Sequence, residues 1–210
     1  TTEIYTLSLH DALPISRKLK LHPFPKKKAV SIMKITLLNY GQLDRNLLNK
    51  VAESVEKEFL SEVIIRDEYA DLSIFFDSSR KQYNGNKLLG FIENKPRQGD
   101  EKFIGLFNVD IFIPILTYIY GQAYLNGKSA IASSHRLSNE RYGMVKDEKL
   151  FLERLIKETH HELGHCFGLL HCHSPGCVMQ SSTYVEDIDQ KSGHFRSEER
   201  RVGKECRSRW

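Results

Sequence analysis

His161-Glu162-Leu163-Gly164-His165-Cys166-Phe167-Gly168-Leu169-Leu170-His171 reads H-E-x-x-H-x-x-G-x-x-H with every fixed position filled. Residues four apart on a helix project from one face, a turn above one another. His161 and His165 have that spacing, so two imidazoles can grip one metal ion while Glu162 stands beside the metal-bound water as general base. Gly168 lets the chain turn after the helix, and His171 then returns as a third ligand. Three neutral nitrogen donors and one open position describe a catalytic zinc site, whereas a structural site is closed by four protein ligands. Chance would fill all five positions in a chain this long with a probability on the order of 10⁻⁴ or less. The string therefore implies a zinc hydrolase.

The residues that follow narrow the reading. Cys172-His173-Ser174-Pro175-Gly176-Cys177-Val178-Met179 places Met179 eight residues past His171, the position of the Met-turn beneath a metzincin zinc. With Cys172 directly after the last histidine and Cys177 and Met179 beyond, the stretch resembles the archaemetzincins. Their pattern is H-E-x-x-H-x-x-G-x-x-H-C-x-x-x-x-C-x-M, followed further on by C-x-x-C. The segments Asp110-Ile111-Phe112-Ile113-Pro114, Tyr120-Gly121-Gln122-Ala123 and Arg136-Leu137 also look like that family, and the resemblance spans residues 33–195. It implies a zinc-dependent metallopeptidase with an α+β, metzincin-like fold: a twisted mixed sheet, a central zinc-binding helix, a Met-turn and a short C-terminal helix. It further implies that Cys172 and Cys177 belong to a second, structural zinc site.

That second site is incomplete in this chain. The stretch matching the later C-x-x-C, about residues 196–200, reads Arg-Ser-Glu-Glu-Arg, and two cysteines do not fill a tetrahedral shell. The chain ends account for the gap. One DNA string that encodes residues 1–16 (TTEIYTLSLHDALPIS) encodes residues 196–210 (RSEERRVGKECRSRW) when read as its reverse complement, and it resembles a common sequencing adapter. Both ends are therefore expected to be translated adapter, leaving residues 17–195 as a single metzincin-like catalytic domain. One catalytic zinc is expected in the chain as written, and a second only with the native C-terminus. Met33 opens Met-Lys-Ile-Thr-Leu-Leu, a natural first strand, so residues 17–32 are either translated untranslated sequence or a short basic extension.

Composition excludes several classes. The two ends carry six basic and five acidic residues, so setting them aside barely changes the formal net charge of +4. No nucleic-acid role follows, the basic tail is not read as a binding arm, and Lys26-Lys27-Lys28 is a solvated run. No stretch reaches the roughly 18 apolar residues of a membrane helix, and residues 1–16 lack the basic and apolar regions of a signal peptide. Cys166, Cys172 and Cys177, an odd cluster beside histidines, fit metal binding in a reducing compartment better than a disulfide framework, so a cytoplasmic location is expected. The expected partner is a peptide or protein substrate. Oligomeric state is not encoded in any motif.

Hydrophobic periodicity places the site. Strands are expected at 35–39, 63–65, 72–76, 102–109 and 116–120, with a tight hairpin over 124–128 leading into a strand at 130–133. A helical stripe runs through Leu47, Leu48, Val51, Val55 and Phe59, a helical turn lies near 87–92, and a long helix over 147–164 buries Leu150, Leu152, Leu155 and Ile156. A short helix is expected around 185–190. His160 points off the ligand face and reads as a surface or supporting residue. His173 reads as a solvated turn residue, Cys166 as a small buried apolar one, and Asp110 and Arg136 as packing or sheet-edge residues at least as much as substrate contacts. Tyr184 is a loosely placed candidate for an extra ligand. Two functions stay open: hydrolysis of peptides through Glu162, or a zinc-binding protein of the same fold that acts through interactions.

Overall fold

The computed structural model describes residues 33–195. Both expected adapter-encoded ends, residues 17–32 and the lysine run lie outside the described residues. The chain begins with β1 (Lys34–Asn39), α1 (Arg45–Phe59) and β2 (Glu62–Asp67). Asp44 caps α1, its carboxylate accepting the N–H of Asn46 and of Leu47 at 2.9 and 3.1 Å, which satisfies donors the helix itself leaves open. Leu48, Val51, Ala52 and Val55 form the buried stripe of α1, while Leu47 and Phe59 pack at its margin. A small region follows: β3 (Phe76–Asp77), β4 (Gln82–Asn84) and α2 (Gly85–Glu93). Then come β5 (Lys102–Phe107), β6 (Ile111–Ile113), β7 (Leu116–Ile119), β8 (Gly121–Ala123) and β9 (Ser129–Ser133), and finally α3 (Glu148–Cys166) and α4 (Val185–Gln190).

The main sheet has the order β2-β1-β5-β9-β8. Its first four strands are parallel and β8 closes one edge antiparallel to β9, so the sheet is mixed, as expected. Parallel strands are buried on both faces, and alternation sorts their side chains. Ile35 and Leu37 of β1 and Ile104 and Leu106 of β5 pack with α1 and α3. Leu38, Phe103 and Phe107 point the other way, against Leu88, Leu89 and Ile92 of α2. The second sheet, β3-β4-β6-β7, carries one side of the cleft. Among the described residues no helix is long and apolar enough to cross a membrane.

Two expectations changed. The strand expected at 72–76 is instead a helical turn at Ser73–Phe75, and only Phe76 and Asp77 pair with β4. The Asp71 carboxylate accepts the Ser73 N–H at 2.9 Å, a local bond that starts a turn in place of a ladder. In α3, Leu155 is fully buried and Leu152 and Ile156 are partly so, but Leu150 stays at the margin. Three charged residues are buried there as well: Arg154, Lys157 and Glu158.

Candidate active site

α3 delivers the first three site residues. It starts at Asp147, whose carboxylate accepts the Leu150 N–H at 2.9 Å, and ends where Gly168 takes a φ of +85°. Side chains disfavour that conformation, so glycine is the residue that turns the chain here. Gly168 N–H donates to His165 O at 2.9 Å, and Leu169 N–H to Gly164 O at 3.0 Å. The turned chain brings back His171, and one ring nitrogen from each of His161, His165 and His171 lies within 4.8 Å of the others. Asn126 N–H, in the turn between β8 and β9, donates to His165 O at 2.8 Å and ties the sheet edge to the helix end.

Hydrogen bonds decide which nitrogens face inward. His161 Nδ1 lies 2.8 Å from Val178 O and His165 Nδ1 lies 2.7 Å from Leu169 O. A carbonyl only accepts, so each Nδ1 carries the proton and each Nε2 presents a lone pair. The two Nε2 atoms are 3.2 Å apart, close to the roughly 3.3 Å that tetrahedral Zn–N bonds of about 2.0–2.1 Å impose. Burial, then the nearby charges of Lys191 and His165, hold His161 well below the ordinary imidazole range. Burial lowers His165 and His171 as well. Neutral imidazoles held by backbone carbonyls are the donors a divalent zinc takes, so the residues fit the ion.

Glu162 lies beside this cluster, and burial followed by the charge of Glu158 pushes its carboxyl well above the usual range. A cavity of about 580 Å³ opens over both. Residues of β7 and β8 line one side, and Ser181, Ser182, Thr183 and Tyr184 line another. Met179 is fully buried beneath the ligand helix. A Cβ on Gly164 would come within 2.5 Å of its sulfur, so the thioether fits directly under the helix backbone between His161 and His165. Cys172 N–H donates to Met179 O at 2.9 Å, closing the loop that carries the methionine. Cys172 and Cys177 are both buried in the cluster that holds Met179 and Phe195.

The remaining candidates separate clearly. Cys166 is fully buried, and burial pushes its thiol up to about 12, which suits a packing role. Asp110 and Arg136 hold each other, with Nε and Nη2 donating to the carboxylate at 2.6 and 2.7 Å. His160 is fully buried rather than on the surface, and its Nδ1 donates to Gly193 O at 2.6 Å; it packs against Phe59 and Phe195 because the segment after α4 covers that face of the helix. His173 is exposed. Tyr184 lines the cavity but is 63% exposed. Among the described residues, His161, His165 and His171 are the one group of three or more such ligands; Cys172 and Cys177 form no second one. Glu158 and Lys191 also line the cavity, and motif reading missed both. Glu158 was within reach, since it lies one helical turn before Glu162.

Known proteins give a consistent picture. The sequence profile of Peptidase family M54 matches residues 51–202. The archaemetzincin of Saccharolobus solfataricus is 32% identical over 164 residues, covering 78% of this chain and 88% of that protein. The crystal structure of archaemetzincin from Methanopyrus kandleri superposes with a TM-score of 0.72 at 31% identity, over 83% of this chain and 95% of that one. A zinc-dependent peptidase from Methanocorpusculum labreanum superposes with a TM-score of 0.70 at 30% identity, over 79% and 97% of the two chains.

Proposed function

Because the chain belongs to peptidase family M54, the archaemetzincins, we propose that it hydrolyses peptide bonds in peptide or protein substrates at a zinc ion held by His161, His165 and His171. The observation that carries this reading is the convergence of the imidazole lone pairs, 3.2 Å apart at His161 and His165, beside the buried carboxylate of Glu162. When bound, zinc lowers the pKa of its water towards about 7 and polarises the scissile carbonyl. Glu162 acts as general base: it takes one proton from the attacking water as the new C–O bond forms, and gives that proton to the leaving amine as the C–N bond breaks. Its burial raises its affinity for a proton, as the acceptor in this step requires. Met179 touches no substrate and supports the ligand helix from below.

The same reading extends to the neighbouring loop. Cys172 and Cys177 would supply two thiolates to a second, structural zinc, half of the four ligands that a closed site takes. Cys166, Cys172 and Cys177, an odd set clustered beside histidines, fit metal binding in a reducing, cytoplasmic setting better than a disulfide framework.

Glu162→Ala tests the assignment. The expected result is one zinc retained at the histidine site with peptide hydrolysis lowered about 10²–10⁴-fold. A zinc-loaded wild type that cleaves no peptide would return the chain to the class of non-catalytic zinc proteins.

A further inference from the structure

Four charged side chains are buried between α3 and the end of α4: Arg154, Lys157, Glu158 and Lys191. Two of them act as a clamp. Arg154 donates Nε and Nη2 to the Asp189 carboxylate at 2.7 Å each, and Nη1 to Leu137 O and Asn139 Oδ1 at 2.8 Å each. Lys157 Nζ donates to Ile188 O and Asp189 O at 3.1 and 3.0 Å. These bonds fasten the end of α4 to the same helix that carries His161, Glu162 and His165. The backbone beyond is held too, with Lys191 N–H donating to Ile188 O at 3.2 Å and Ser192 N–H to Gly176 O at 2.7 Å. The position of Lys191 relative to the histidines is therefore fixed by α3 itself.

From this clamp the Lys191 side chain enters the cleft. It lines the same cavity as the three histidines, Glu158 and Glu162, with 1% of its side chain exposed. Its ammonium lies 3.7 Å from Glu158 Oε1, and that oxygen accepts no hydrogen bond among the described residues. A buried pair serving only to neutralise a charge gains most by closing to about 2.7–2.9 Å. This one stays at 3.7 Å, with the lysine in the lining of the cavity. It therefore faces the same space as the three histidines and both carboxylates.

Resting on the peptidase reading above, we propose that Lys191 is the second electrophile of the cleft, donating to the substrate's carbonyl oxygen as negative charge gathers on it. As the water oxygen bonds to the carbonyl carbon, the π pair of the C=O bond moves onto the carbonyl oxygen. The ammonium donates a hydrogen bond to that oxygen and keeps its proton. When the C–N bond breaks, the pair returns to re-form the carbonyl, and the proton held by Glu162 goes to the amine. Glu158 is a positioning residue that holds the ammonium in the cleft between turnovers. Donors aimed at a developing oxyanion contribute about 10²–10³-fold to kcat.

The test compares zinc-loaded wild type with K191M, K191R and the double variant E158Q/K191M, which leaves no unpaired buried charge. Zinc content, thermal stability, kcat and KM on a fluorogenic peptide are measured, together with calorimetric binding of a phosphinic pseudopeptide that mimics the tetrahedral anion. K191M is expected to keep its zinc, lose about 10²–10³-fold in kcat with KM little changed, and bind the phosphinic compound weaker by a comparable factor. E158Q/K191M should recover stability but not kcat, and K191R should recover part of kcat. Recovery of kcat in the double variant, or unchanged phosphinate binding in K191M, would reduce Lys191 to a counter-ion of Glu158 and overturn the proposal. Active wild type with equally active K191M overturns this proposal alone; zinc-loaded wild type without any cleavage overturns the peptidase reading and this proposal with it.

Discussion

The backbone of Gly121 lies directly against the carboxylate of Glu162: a Cβ added at Gly121 would sit 2.6 Å from both Cγ and Oε1 of that glutamate. Ile131 O, at 2.7 Å, blocks the other direction and is main chain, so the glutamate is the group that moves. The edge strand β8 thus sets the pose of Glu162, the proposed general base. Gly121→Ala should displace Glu162 by about an ångström and lower kcat roughly 10- to 100-fold with zinc retained. Steady-state kinetics with metal analysis checks this, and full activity in the variant would show that Glu162 tolerates the shift.

Metal removal should cost stability. With His161 and His165 each held by a carbonyl through Nδ1, the facing Nε2 atoms 3.2 Å apart cannot bond to one another. Zinc bound only by the native state stabilises it by about 4 kcal/mol at a thousandfold excess over Kd. Melting curves should shift down with a chelator and recover on adding zinc. His165→Ala should show no zinc-dependent shift, and a persisting shift would place the ion elsewhere.

Met179 should matter for packing alone. It is fully buried under Gly164, so Met179→Ala should cost about 2–5 kcal/mol in denaturant unfolding. Met179→Leu, which nearly conserves volume, should cost less than about 1.5 kcal/mol and keep the zinc stoichiometry. Loss of zinc in the leucine variant would assign the sulfur a direct role.

Acid should act through Asp110. Burial pushes its carboxyl up, but the two hydrogen bonds from Arg136 and that residue's charge more than offset this and hold it below the ordinary range. The native state then binds this proton less readily than the unfolded chain. The contribution is complete above the unfolded value of about 3.9 and is lost as pH falls through the lower folded value. Asp110→Asn should therefore be less stable near neutral pH and show a shallower decline in acid. Parallel pH–stability curves for the two proteins would contradict it.

The candidate ligands were legible because metal chemistry and helix geometry are both local. The spacing of His161, Glu162 and His165 on one face, and a glycine before His171, state the site within one short string. The α1 stripe and the 185–190 helix were legible for the same reason, since periodicity needs no tertiary knowledge. Lys191 was not, because nothing near it in sequence predicts that Arg154 and Lys157 pull the end of α4 onto the ligand helix. β8 was missed as a strand because its three residues are too few to show alternation, and the Ser73–Phe75 turn because one Asp71 hydrogen bond outweighs the apolar content of its segment. His160 reads as a surface or supporting residue from its position off the ligand face, and the segment beyond α4 is what buries it.

The most direct measurement is zinc K-edge X-ray absorption on the chain loaded with one equivalent of zinc. The account predicts three imidazole nitrogens at about 2.0–2.1 Å, one further oxygen and no sulfur. A sulfur shell at about 2.3 Å would put the ion on Cys172 and Cys177 instead and contradict the assignment of His161, His165 and His171 as the catalytic centre.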